Sequence, residues 1–143
     1  MVDSTPTRSG LRICGHRGNA VVRSALIRYA RWLRLKYEFP IRVPVYLLPG
    51  ELVTTIDGTK CSASFFAPFD QSVEPYIRIA TGDYPSLAAQ SGRDNALASF
   101  IISMSHELIH YQQWIETGDI WERGVARRAV TMLRQYEKTV DKP

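Results

Sequence analysis

The sequence predicts an α+β fold in which helices precede and follow a small sheet. Three observations support this prediction. Residues 19–37 and residues 95–115 lack glycine and proline and repeat apolar residues at helical spacing, whereas turn residues divide residues 41–80 into short segments. A further helical pattern follows Gly118. We therefore expect an N-terminal helix, three or four mostly antiparallel strands, a second helix and a C-terminal helix.

Length and composition indicate one domain. A chain of 143 residues that is 45% hydrophobic can bury a core but is too short for two ordinary domains. We predict a single domain over residues 16–138, between a flexible N-terminal tail (1–15) and a short C-terminal tail (139–143). Cys14 and Cys61 form no C-x-x-C pair, which argues against a disulfide scaffold and against a sulfur-ligated metal.

The same composition bears on location and partners. The N-terminus has no secretory apolar region, and no stretch approaches the roughly 18 apolar residues of a membrane span. With the unpaired cysteines, this predicts a cytoplasmic protein without a membrane partner. The net charge of +4 is modest, so a nucleic-acid partner is allowed but not required.

The first predicted helix covers residues 19–37. Its apolar residues share one face, while Arg23, Arg31 and Arg34 lie on the opposite side. An arginine stripe of this kind can contact phosphates, but a solvated polar face is the more common interpretation. Pro40 ends the helix.

Strands are predicted between Pro40 and Gly82. Residues 41–48 read as a strand, residues 51–56 and 60–66 flank the hairpin signal Asp57-Gly58, and residues 75–80 alternate as a last strand. Ser91 and Asp94 have capping-box spacing at the start of the next helix. Gly118 ends that helix, and the last helix is predicted from Asp119 to about residue 138.

The central motif of the chain is His106-Glu107-Leu108-Ile109-His110. A spacing of four residues places both histidines on one face of a helix, where each can donate a ring nitrogen to one tetrahedral Zn²⁺. Glu107 lies about 100° round the helix, suited to taking a proton from metal-bound water. This is the H-E-x-x-H arrangement. The alternative is a pair of core histidines, which are rarely buried together with a glutamate.

Catalytic zinc usually has three protein ligands, so a third is needed. Glu122, at the start of the next predicted helix, is the best candidate, and Asp119 is its rival. Asp119 and Glu122 also have the spacing of a capping box, in which their side chains would only hydrogen-bond to the backbone at the start of the helix. His16 is remote from the motif, and we expect it to be a surface histidine.

These residues resemble the minimal gluzincin metallopeptidases, a compact branch of the zincins. The resemblance covers mainly residues 75–136 and depends on the two histidines, Glu107 and the later Glu122. It implies a zincin-like fold, zinc bound by His106, His110 and Glu122, and Glu107 as general base. It also implies that an extended substrate pairs with the edge strand of the sheet. That strand would be residues 75–80, and the predicted substrate-binding residues are Tyr76, Ile77, Arg78 and Ile79.

The leading prediction is therefore a zinc-dependent metallopeptidase acting on a peptide or protein substrate. Zinc would polarise the scissile carbonyl, and Glu107 would activate water and then protonate the leaving amine. Candidate oxyanion partners are Tyr136, Tyr111 and Tyr84, although buried aromatic packing is the more common role. The alternative is a catalytically weak zincin-fold binding module for a protein or nucleic acid, the latter through the first-helix arginines and Arg127 and Arg128.

Overall fold

The computed structural model describes residues 10–139, and over this range the chain forms six strands and four helices. The predicted α+β class is confirmed in its general form, four helices with a small sheet. Residues 1–9 and 140–143, which belong to the predicted tails, lie outside this range. In chain order the elements are β1 (Leu11–Cys14), α1 (Ala20–Lys36), β2 (Val43–Leu48), β3 (Val53–Thr54), β4 (Lys60–Cys61), β5 (Ala63–Phe66), β6 (Tyr76–Ala80), α2 (Tyr84–Ser91), α3 (Arg93–Thr117) and α4 (Val125–Glu137).

Four strands form the main sheet, in the spatial order β1-β2-β6-β5. β1 and β6 both run parallel to β2, and of these four strands β5 alone is antiparallel to its neighbour. The prediction of a mostly antiparallel sheet was therefore wrong. β1 lies in the segment predicted as a tail, and α1 returns the chain so that β2 runs in the same direction as β1.

β6 lies in the middle of the sheet, hydrogen-bonded to β2 on one side and to β5 on the other. The prediction that residues 75–80 offer a free edge was therefore wrong. The alternation of apolar and polar side chains indicates only which face of the strand each residue is on. Ile77 and Ile79 face the core, and Tyr76 and Arg78 face away from it. The alternation carries no information about the neighbouring strands. The free edge on this side of the sheet belongs to β5.

The predicted hairpin is present, but it is short. β3 and β4 pair as an antiparallel ladder of two residues each, and Gly58 adopts a φ of +87° in the turn between them. Asp57 accepts hydrogen bonds from the Thr55 hydroxyl and from the Thr59 N–H. The second predicted arm, residues 60–66, is divided, because β4 ends at Cys61 and β5 continues into the main sheet.

The first helix matches its prediction closely. The Asn19 carboxamide oxygen caps it by accepting hydrogen bonds from the N–H groups of Val21 and Val22. On the predicted arginine stripe, Arg34 donates two hydrogen bonds to the carbonyl of Leu11, so this arginine joins α1 to β1.

The segment before the motif helix differs from its prediction. α2 was not predicted. It has Pro85 in its first turn, a position in which proline is well tolerated. The predicted capping box at Ser91 does not form. Ser91 ends α2 and donates to the Leu87 carbonyl, and Gly92 separates α2 from α3.

The motif helix α3 lies at the centre of the molecule. It packs against α1, α2 and α4 and against β5 and β6. Most of its buried apolar residues belong to the main apolar cluster, and the buried Ser105 hydroxyl is hydrogen-bonded to that of Tyr29 on α1. Within residues 10–139, no helix is both long and apolar enough to cross a membrane.

Candidate metal centre

Two imidazole rings of α3 form one side of the candidate centre. Residues 95–115 contain no helix breaker, and α3 is continuous from Arg93 to Thr117, so His106 and His110 lie one turn apart. Their ring centroids are 5.0 Å apart, with an angle of 72° between the planes. The His110 side chain is 4% exposed and that of His106 is 29% exposed.

The third side chain comes from the loop between α3 and α4. Gly118 ends α3 in the left-handed conformation, φ +83°, which turns the chain back toward the histidines. Glu122 Oε1 then lies 2.9 Å from His106 Nε2, and Oε2 lies 2.9 Å from His110 Nε2. One ligand atom of each side chain lies within 4.8 Å of the others, close enough to bind one metal ion.

The surroundings of Glu122 differ from those predicted. The last helix begins at Val125, after Gly124, so Glu122 lies in a loop rather than in a first helical turn. No capping box forms, because neither Asp119 nor Glu122 is at the start of α4. The rival ligand Asp119 is not a member of the group, and its backbone N–H donates to the Thr117 hydroxyl.

One atom of this group supports a metal site directly. His110 Nε2 is buried and lies 2.9 Å from Glu122 Oε2, but the angle at this contact is not that of a hydrogen bond, and the nitrogen has no other partner within residues 10–139. A buried polar atom without a hydrogen bond is costly, whereas a metal ion would use its lone pair. Zinc bonds of about 2.0–2.2 Å keep two ligands of one tetrahedral ion roughly 3.4 Å apart, so the observed 2.9 Å separations need little adjustment. The three residues therefore fit a zinc ion.

Glu107 follows His106 on the helix and is partly buried. Burial raises the pKa of its carboxyl, while the nearby His106 and His110 act in the opposite direction and Glu122 raises it again. The net effect is a carboxyl pKa above its ordinary value. Such a carboxylate is a better proton acceptor than an exposed one.

Gln113 is a part of the centre that the sequence did not indicate. It is 3% exposed, and its Oε1 lies 3.0 Å from His110 Nδ1 and 3.0 Å from the backbone nitrogen of Trp121. The contact with His110 could have been suspected from their spacing of three on a helix. The contact with Trp121 depends on how the loop after Gly118 folds back, which no sequence pattern reports.

A cleft of about 650 Å³ borders the group. Glu122 and Ile120 line it on one side, β5 and β6 on another, and the β3–β4 hairpin on a third. Arg78, one of the lining residues, donates a hydrogen bond to the carbonyl of Thr54, which ties the hairpin to the sheet. The lining residues are Thr55, Ile56, Asp57, Thr59, Ser64, Phe65, Phe66, Ala67, Tyr76, Arg78, Ile120 and Glu122.

The predicted substrate-binding residues are divided between two environments. Tyr76 and Arg78 line the cleft, whereas Ile77 and Ile79 are 0% exposed and belong to the core. Those two isoleucines pack against the body of the protein, so they cannot contact a substrate.

The three candidate oxyanion tyrosines lie away from the cleft. The Tyr111 hydroxyl bonds the backbone of Ile41, the ring of Tyr136 packs on Tyr29, and the ring of Tyr84 packs on Phe100.

Comparison with known proteins identifies no relative of this chain. No protein-family model matches the chain, and neither a curated protein nor a solved structure is significantly similar to it.

Proposed function

We propose that this protein is a zinc-dependent metallopeptidase-like hydrolase that cleaves a peptide bond in an extended substrate. In this proposal His106, His110 and Glu122 bind the zinc ion, and Glu107 is the general base. The observation that carries it is the convergence of two helical imidazoles and a loop carboxylate on one point, beside a second carboxyl with a raised pKa.

The ligand chemistry favours zinc. Two imidazole nitrogens and one carboxylate oxygen are a common set for catalytic zinc, which keeps a further position open for water or substrate. Zinc at this position would supply a Lewis acid that polarises a carbonyl and acidifies water. Glu122 is well suited to this open arrangement, because its side chain is 74% exposed and faces the cleft.

Glu107 supplies proton transfer in this mechanism. Both histidines lie close enough to Glu107 to influence the pKa of its carboxyl, but Glu107 is not a member of the candidate ligand group. Its carboxylate would take a proton from the attacking water and then pass that proton to the leaving amine. The same carboxyl group would hold the proton between the two steps.

β5 is the strand best suited to pair with a peptide substrate. The Ala80 N–H donates to the Ser62 carbonyl at 2.9 Å, and pairs in an antiparallel ladder alternate between bonded and non-bonded. Ser64 is therefore bonded to β6, while the backbone groups of Ala63 and Phe65 face the free edge. A peptide could add there as a further antiparallel strand along the cleft.

The architecture gives further support. The motif helix packs against a mixed sheet whose edge strand, β5, is antiparallel to its neighbour and lines the same cleft as Glu122. This arrangement resembles the zincins, in which an extended substrate pairs with the edge strand. The proposal therefore replaces β6 with β5 as the substrate strand.

A peptide library tests the proposal. The zinc-loaded protein is incubated with peptides of diverse sequence, and products are identified by mass spectrometry before chelation, after chelation and after zinc is restored. We expect cleavage that stops on chelation and returns with zinc. If the zinc-loaded protein cuts no peptide, the binding module becomes the better account.

A further inference from the structure

A single amide oxygen links two of the three proposed metal ligands. Gln113 Oε1 lies 3.0 Å from His110 Nδ1 on its own helix and 3.0 Å from the nitrogen of Trp121 in the loop. Trp121 immediately precedes Glu122. The oxygen therefore contacts one ligand directly and holds the backbone next to another.

The Trp121 contact determines which way the Gln113 amide faces. A backbone N–H can only donate a hydrogen bond, so the Gln113 atom that faces it must be the acceptor oxygen and not the amide nitrogen. The orientation is thus set by chemistry, independently of how oxygen and nitrogen are assigned.

The oxygen in turn determines the tautomer of His110. Because Oε1 only accepts, His110 Nδ1 must carry the proton that lies between them. In the neutral ring, Nε2 is then left with its lone pair. That atom is the buried nitrogen without a hydrogen bond that faces Glu122.

Gln113 also has an unusual environment for a residue with a purely structural role. Its Nε2 is buried and has no hydrogen-bond partner within residues 10–139, although the side chain is 3% exposed. Leaving a buried donor unsatisfied destabilises a fold, and an apolar side chain of the same size would avoid that cost.

We propose that Gln113 is the positioning residue of the metal centre. It holds His110 in the tautomer that presents Nε2 to the ion, and it fixes the loop that carries Glu122. This inference rests on the proposed zinc site. Hydrogen bonds that orient ligating imidazoles from outside the ligand set contribute about 10- to 100-fold to metal affinity.

Three variants of the full chain test the proposal. Gln113→Met keeps the size of the side chain but removes the acceptor, and Gln113→Glu keeps an acceptor. Gln112→Met is the matched control at the neighbouring, partly exposed position. Zinc affinity is measured by competition with a chromophoric chelator, and circular dichroism establishes that each metal-free variant is folded.

We expect Gln113→Met to bind zinc about 10- to 100-fold more weakly, while Gln113→Glu and Gln112→Met remain close to the unsubstituted protein. A second readout does not need metal. Nitrogen NMR of His110 in the metal-free protein should show the Nδ1–H tautomer in all except Gln113→Met.

The outcomes separate the two proposals. Zinc affinity and tautomer unchanged in Gln113→Met would overturn the role of Gln113 and leave the zinc site standing. An equal loss in Gln113→Glu and Gln113→Met would also overturn it, since an acceptor would then not matter. Failure of the unsubstituted protein to bind zinc would overturn the proposed function as well.

Discussion

His110 and Glu122 face the same point from opposite environments. His110 is almost fully buried and held by Gln113, whereas Glu122 is mostly exposed and sits on a loop. A buried, oriented ligand loses little freedom when a metal binds, while an exposed glutamate must give up rotamer freedom. The two helical histidines should therefore contribute more to metal affinity than Glu122.

Ligand substitutions test this ranking. We expect His106→Ala and His110→Ala to lose stoichiometric zinc binding, and Glu122→Ala to bind zinc more weakly. Asp119→Ala should leave both zinc affinity and stability unchanged within about 0.5 kcal/mol, because Asp119 is exposed and caps no helix. Isothermal titration with zinc measures all four variants. Weaker zinc binding in Asp119→Ala than in Glu122→Ala would reverse the assignment of the third ligand.

Tyr111 gives a pH-dependent prediction. Burial raises the pKa of Tyr111 to about 12, although the Ile41 N–H that donates to its hydroxyl acts in the opposite direction. Because the folded pKa exceeds the ordinary 10.0, the contribution of Tyr111 to stability is complete below about pH 10 and is lost as the pH rises toward 12.

We therefore expect the free energy of unfolding to fall between about pH 10 and pH 12, and Tyr111→Phe to fall less steeply. A shift of this size corresponds to at most about 3 kcal/mol. Urea unfolding at a series of pH values measures both curves. Parallel curves for the two proteins would contradict the assigned environment of Tyr111.

Membership of the candidate metal centre could be predicted from the sequence for some residues and not for others. The sequence predicted the candidate ligands His106, His110 and Glu122, because the first two follow a helical spacing and acidic residues after Gly118 are few. It could not predict Gln113, since its partner Trp121 is brought close by the loop and not by any periodicity.

At the scale of elements, the proposed binding of a peptide substrate depends on β5. Its free edge exposes backbone groups at alternate residues, so single proline substitutions have different effects at neighbouring positions. Proline at Ala63 removes an N–H that faces the free edge, whereas proline at Ser64 removes one bonded to β6.

We expect Ala63→Pro to retain the fold and to lower kcat/KM about two- to tenfold, the equivalent of one hydrogen bond to the substrate. Ser64→Pro should instead lower the melting temperature, because it breaks the ladder. Thermal unfolding and cleavage of the best library peptide measure the pair. Full activity in Ala63→Pro would argue against peptide binding along β5.

The wrong prediction of an edge position for β6 has a physical explanation at the same scale. Alternation in residues 75–80 correctly separated the core face from the outer face, but hydrogen-bonded neighbours depend on chain topology. The position of β6 depends on β1, which lies in a segment that resembled a tail, and on the long return from β5. The hairpin was predictable because Asp57-Gly58 is a local signal.

For the whole molecule, the site couples two regions that meet only in the folded protein. α3 supplies two residues of the candidate metal group from the centre of the structure, and the loop before α4 supplies the third. An ion that binds this group binds the folded state, so it must stabilise the fold by mass action.

Zinc at 100 times its dissociation constant should add about 2.7 kcal/mol to the free energy of unfolding. For a chain of this length, that corresponds to a rise of roughly 8 °C in melting temperature. His110→Ala should show no rise. Differential scanning calorimetry with and without zinc measures the shift, and an equal rise in both proteins would place the ion elsewhere.

The α+β class was predictable because helical and strand periodicities are local, whereas the parallel order of the sheet was not. Pairing of β1 with β2 and of β2 with β6 joins segments far apart in sequence. The connection from β1 to β2 is α1, and the connection from β2 to β6 contains β3, β4 and β5, so no local pattern reports either pairing.

The central claim is that Glu107 transfers protons beside a bound zinc ion, and one comparison tests it most directly. Zinc-loaded Glu107→Gln is compared with the unsubstituted protein on the same peptide, with Glu116→Gln, an exposed glutamate of α3, as control. We predict unchanged zinc content and a loss of about 10²- to 10⁴-fold in kcat for Glu107→Gln alone. Cleavage by zinc-loaded Glu107→Gln at the unsubstituted rate would contradict the mechanism.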